Sequence, residues 1–196
     1  MRRTGDRRGT PLLAIASGAA GMALLLGGCT ADNQPQGHPQ PTGNHQGHGT
    51  GGMEHPMDGG PAPAGIEKAT SPKYPAGTTV RITADHMPGM NGAKGRVVGA
   101  YRTFTYAVDY TPTTGGPPVK DHKWVVQQEI RDAGAQRLAN GAEVTLQAAH
   151  MKGMEGARAT IASSTDQTVY MVDYTADGMT MTNHKWVVES ELQPGS

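Results

Sequence analysis

Thiol chemistry is almost missing from this chain: of 196 residues, only Cys29 is a cysteine. No intramolecular disulfide can form, and thiolate metal clusters are excluded, so whatever folds must be held by burial alone. Large apolar side chains are scarce as well. Aromatics make up 5% of the chain, with one Phe and two Trp, so any core is small. An excess of charge is also lacking, since Lys+Arg and Asp+Glu both number 17. The apolar stretch from Leu12 to Leu26 is too short, and too interrupted by Gly18 and Gly21, to read as a membrane-spanning helix.

What is present begins with an address. Arg2, Arg3, Arg7 and Arg8 precede that apolar stretch, which ends in Leu26-Gly27-Gly28-Cys29, similar to a bacterial lipobox. Residues 1–28 therefore read as a lipoprotein signal peptide, and Cys29 as the lipidation site that would hold the mature chain to the outer face of the cell membrane. The structural alternative for Cys29 is a buried core thiol. Without the four arginines and Asp6 of the leader, 13 basic and 16 acidic residues remain, a net charge near −3. That is no nucleic-acid footprint. Residues 29–73 are rich in Gly, Pro, Gln, Asn, Thr and His, with Ile66 the one large aliphatic side chain. Such a stretch cannot bury enough apolar area to offset its ordering entropy and reads as a disordered tether.

From Tyr74 onward the chain is written twice. The first repeat covers 74–130 and the second 138–192, joined by a linker at 131–137. "ADHMPGMNGAKG" at 84–95 returns as "AAHMKGMEGARA" at 148–159, "YAVDYT" at 106–111 as "YMVDYT" at 170–175, and "HKWVVQQEI" at 122–130 as "HKWVVESEL" at 184–192. Each copy contains four or five short alternating segments between glycine-containing turns and no helical periodicity. The fold expected is all-β, with a small closed barrel in each copy. A unit of about 60 residues is marginal alone, so the copies are expected to pack on each other.

These motifs, in order and in duplicate behind a lipobox and a His/Met-rich tether, resemble the YdhK family of bacterial lipoproteins, which includes the copper-resistance lipoprotein CopL. The two repeats also resemble SH3 or KOW-like β-barrels. The resemblance implies copper binding outside the cytoplasm, without catalysis.

The residue chemistry points the same way. Thioether and imidazole donors without thiolate favour Cu(I) over hard cations. His86, Met87 and Met90, with His150, Met151 and Met154 in the second copy, are the candidate ligands, and Gly89, Gly92, Gly153 and Gly156 would let each segment turn so that the donors converge. The bland alternative is that these methionines plug the barrel. His122 and His184 have two readings: further ligands, or imidazoles bonded to Asp109 and Asp173. Met171 reads as core, Met179 and Met181 as exposed extra ligands. In the tether, His45, His48, Met53, His55 and Met57 form a weaker set whose alternative is a solubilising spacer. No catalytic constellation recurs in both copies, so the chain does not read as an enzyme.

The expected function is copper sequestration or tolerance by a membrane-anchored lipoprotein. Its expected partners are the membrane through Cys29, a metal ion, and a copper exporter or cell-wall material, but no nucleic acid. The rival reading is a cell-envelope module whose SH3-like barrels dock peptidoglycan or peptide on Tyr101, Tyr106, Tyr110, Tyr170 and Tyr174. A third is a surface protein with Met-rich packing.

Overall fold

The structure, a computed structural model, describes residues 55–195. The signal peptide, Cys29, His45, His48 and Met53 lie outside the described residues. Ten strands are present: β1 (Glu67–Lys68), β2 (Thr79–Ile82), β3 (Lys94–Arg102), β4 (Thr105–Tyr110), β5 (Val119–Val126), β6 (Glu143–Thr145), β7 (Arg158–Thr165), β8 (Val169–Ala176), β9 (Met179–Val188) and β10 (Leu192–Pro194). Alternation builds them in the expected way. In β2, Val80 and Ile82 are buried while Thr79 and Arg81 are exposed, and in β7 Ala159 and Ile161 are buried between exposed neighbours.

The expected barrels do not form. The strands make two open sheets, one in the order β10-β2-β3-β8-β9 with β1 also paired to β3, the other in the order β5-β4-β7-β6. Each sheet takes strands from both copies. Thr103 and Phe104 carry the chain from β3 in one sheet to β4 in the other, and Asp166 to Thr168 make the reverse step from β7 to β8. Hence β3 pairs with β8 of the second copy, Val97 opposite Val172, and β4 pairs with β7, Tyr110 opposite Ala159. A strand whose next neighbour belongs to the other copy cannot close a barrel within its own.

Three apolar clusters follow from this interleaving. One face of the first sheet buries Val80, Ile82, Val97, Tyr170, Val172 and Tyr174. The second sheet buries Tyr106, Val108, Tyr110, Leu146 and Ile161. Tyr101, Ala107, Trp124, Val126, Val169, Met171, Trp186 and Val188 form the third cluster, drawn from strands of both sheets. β4 and β8 carry apolar side chains in both directions because both of their faces are covered.

Part of the stretch read as tether also lies on the fold. Asp58 bridges to Thr182, the Gly59 amide donates to the Thr182 carbonyl at 2.9 Å, and Glu67 pairs with Arg102. Ile66 packs against the third cluster, which gives the lone aliphatic of that segment its place.

Candidate functional site

The duplicated His-Met segment is a tight turn, as its glycines suggest. Gly89 and Gly153 have φ of 76° and 77°, in the left-handed region, and a Cβ at Gly89 would collide with the Asp177 carboxylate. The Met90 amide donates to the Met87 carbonyl, and the Met154 amide to Met151, at 3.2 and 3.1 Å. This fold of the backbone separates the donors. Met90 and Met154 are 0% exposed and belong to the first and second apolar clusters. Met87 and Met151 are only partly buried: each packs against the same cluster as its neighbour and also lines the cleft described below. The expectation that each turn gathers its own ligand set is therefore corrected. Among the described residues, no group of three or more His, Cys, Asp or Glu side chains is placed to hold a metal ion.

His86 and His150 are held by carboxylates the sequence reading passed over. Glu191 Oε1 lies 2.8 Å from His86 Nε2, and Glu129 Oε1 lies 2.8 Å from His150 Nε2. The other oxygen of each carboxylate accepts two hydrogen bonds. Trp124 Nε1–H and the Val188 amide donate to Glu191 Oε2, both at 2.9 Å. Trp186 Nε1–H at 2.9 Å and the Val126 amide at 3.2 Å donate to Glu129 Oε2. Each glutamate sits in a single 3-10 turn just after its "HKWVV" strand, Gln127–Glu129 or Glu189–Glu191. It thus reaches the His and Trp of the other copy. Burial alone would raise both carboxyl pKa values. The His partner, together with the Trp and amide donors, outweighs it and holds both below the ordinary range. The signal was legible: an acid stands at the same place in both copies beside an apolar run.

His122 and His184 are not bonded to Asp109 and Asp173. Those carboxylates accept from the backbone amides of Asp121 and Asn183, both at 2.8 Å, where φ is 50° and 51°. Each aspartate thereby fixes the bend just before its histidine. The imidazoles themselves carry buried nitrogens that lack partners: Nε2 of His122 and both nitrogens of His184, alongside Nδ1 of His86 and of His150. Burial, reinforced by the surrounding histidines, pushes His122 and His184 down to about 3. They are neutral at pH 7.

A cleft of about 540 Å³ opens beside them. Its walls carry His55, His86, His122, His184, Met87 and Met151, with Asp85, Pro88, Val119, Lys120, Asp121, Lys123 and Lys185. The rings of His122 and His150 are 6.1 Å apart, and those of His55 and His184 are 5.1 Å apart. Two imidazoles on one ion stand with centroids roughly 5–6 Å apart, given a metal–nitrogen bond of about 2.0 Å. His55, from the segment read as tether, is pushed down by burial. Met57 is exposed. Of the remaining methionines, Met171 and Met181 are buried, and Met179 is exposed. The five tyrosines offered for an envelope-docking groove are all buried.

Known proteins resemble this chain in sequence and in structure. The sequence profile of a family described as "Protein of unknown function (DUF1541)" matches residues 76–127 and 140–189, one match in each repeat. The chain is 44% identical over 176 residues to "Uncharacterized protein YdhK" of Bacillus subtilis (strain 168), covering 87% of this chain and 83% of that protein. It is also similar to a crystal structure of the DUF1541 family protein ydhK from Bacillus subtilis subsp. subtilis str. 168, with 50% identity and a TM-score of 0.69 over 71% of this chain and 98% of that one. The solution structure of the ydhK C-terminal domain from B. subtilis matches at 54% identity and a TM-score of 0.58, over 61% of this chain and 92% of that one. With both repeats matched and most of each chain aligned, the protein is a member of the DUF1541 family, the family of YdhK.

Proposed function

We propose that this protein binds Cu(I) in the His/Met cleft, in the manner of the copper-resistance lipoprotein CopL, and so lowers free copper outside the cytoplasm. The observation that carries the reading is the set of buried imidazole nitrogens without partners on His86, His122, His150 and His184. A buried polar atom with no partner is costly, and four histidines in the same condition in one region call for a ligand. The cleft adds the thioethers of Met87 and Met151. Soft sulfur beside neutral nitrogen suits Cu(I), which accepts a low coordination number. Such a site needs no trio of His and carboxylate groups. The neutral imidazoles of His122 and His184 also have no proton to give up when the metal arrives. Residues 1–28 would export the chain and Cys29 would anchor it to the membrane, facing the copper it sequesters.

Titration of Cu(I) into the mature protein against a chromophoric chelator tests this. The protein is expected to compete for the metal. Met87→Leu with Met151→Leu should weaken competition by about tenfold, in the range of a lost ligand contact. Met90→Leu with Met154→Leu should leave it unchanged. X-ray absorption should show both sulfur and nitrogen around copper. A wild-type protein that does not compete removes the reading, and equal effects of the two methionine pairs remove the cleft as its location.

A further inference from the structure

We infer that Glu129 and Glu191 are positioning residues that set the tautomer of His150 and His86, so that each Nδ1 keeps a lone pair free to serve as a metal donor. This rests on the cleft reading above for the metal, but the tautomer is a property of the protein alone.

Each carboxylate has one oxygen fully committed to donors. Glu129 Oε2 receives the Trp186 indole N–H and the Val126 amide, and Glu191 Oε2 receives the Trp124 indole N–H and the Val188 amide. Neither of those donor groups has an alternative state, since an indole and an amide can only donate. The second oxygen faces an imidazole Nε2 at 2.8 Å in both copies. A carboxylate oxygen can only accept, so Nε2 must carry the proton. In a neutral imidazole, Nδ1 then carries the lone pair. That atom is buried and without a partner in both His86 and His150. A purely structural His would be expected to satisfy its second nitrogen too. This one is held at Nε2 and left open at Nδ1, the arrangement by which carboxylates orient metal-binding histidines.

The arrangement makes Glu→Gln an unusually informative change. In Glu129→Gln the amide oxygen must take the place that receives two donors, which turns the NH2 toward His150 Nε2. Nε2 must then accept, and the proton moves to Nδ1. An isosteric substitution would thus close the Nδ1 donor position without removing any ring. The effect stays local, because Glu191 and His86 are a separate set.

Nitrogen-15 NMR of the histidine rings in the metal-free protein reads this directly. In the wild type, at a pH where the rings are uncharged, the single proton of His86 and of His150 is expected on Nε2. Glu129→Gln should convert His150 alone to Nδ1–H, and Glu191→Gln should convert His86 alone. Cu(I) affinity should fall by about 10- to 100-fold in each variant. Wild-type rings found as Nδ1–H overturn the inference, and need no variant to fold. Unchanged tautomers in both variants overturn it too, as does converted His150 with unchanged Cu(I) affinity. If the wild type shows the expected tautomers yet binds no Cu(I), the positioning stands as chemistry, and the copper reading fails along with the donor role.

Discussion

At the outer edge of β9, Met57 to Gly59 run beside Thr182 and Asn183, and the Asn183 side chain donates to Asp58 Oδ1 at 2.9 Å. The corresponding edge of β5 carries Lys120 and Asp121 after Pro117 and Pro118, and among the described residues β5 pairs only with β4. Two sheets built from the same repeat therefore treat their exposed edges differently. One is covered by an added segment. The other is guarded by prolines and charge, which discourage pairing. The covering segment brings His55 against His184 and offers nothing comparable to His122. Duplication alone would give two equal half-sites, and the residues ahead of the first repeat make them unequal.

The largest test of that comparison lies in the layer between the sheets. Trp186 is 0% exposed and Trp124 9%, so truncation should separate the halves. Trp186→Ala is expected to cost about 3–5 kcal/mol of unfolding free energy, and Trp124→Ala less, measured by urea denaturation. Equal costs would show that the third cluster is more symmetric than its burial.

Acid should affect both halves, and the half carrying the added segment through one further group, since burial also lowers His55. His122 and His184 have folded pKa values of about 3, against an unfolded value near 6.5. Between those limits the unfolded chain binds more protons, so stability falls as pH drops from about 6.5 toward 3. Each histidine contributes up to about 1.4 kcal/mol per pH unit. The lowered carboxyls of Glu129 and Glu191 act in the same sense only at still lower pH, as they take up protons. The interval above pH 4.5 thus reports the histidines. His122→Gln and His184→Gln should each remove a large part of the slope there, with His55 supplying a smaller part, by chemical denaturation at a series of pH values. A variant that retains the full slope would show that only one half titrates.

The smallest effect concerns the strap itself. Asp58→Ala removes the acceptor of the Asn183 amide and of the Gly60 N–H. It should cost little global stability, since both hydrogen bonds are exposed to solvent. Hydrogen exchange should accelerate at the Gly59 and Thr182 amides while the β5 amides stay unchanged. Faster exchange at β5 as well would tie the two edges together.

Much of this was legible in the residues. Alternation located the strands, and the glycines of "HMxGMxG" identified the turn. The pairing was not legible, for a reason particular to repeats. "YAVDYT" and "YMVDYT" present the same apolar face, so pairing within a copy and pairing across copies satisfy one pattern equally. The fate of the methionines was hidden similarly. Met87 and Met90 lie on one turn and touch the same apolar cluster, and composition is blind to the fact that Met90 is fully enclosed while Met87 also lines a cleft. Glu129 and Glu191 were visible as recurring acids, but their meaning required the crossover that delivers each to the other copy.

That crossover bears on how the molecule could have arisen. Severing residues 131–137 would leave two chains of like sequence, each with its β-strands divided between two sheets and neither sheet complete without the other chain. A single-copy ancestor could reach this architecture only as a symmetric homodimer, with each carboxylate crossing to its twin's imidazole. Fusion then freed the two halves to diverge, and the strap on β9 is a difference that identical subunits could not have kept.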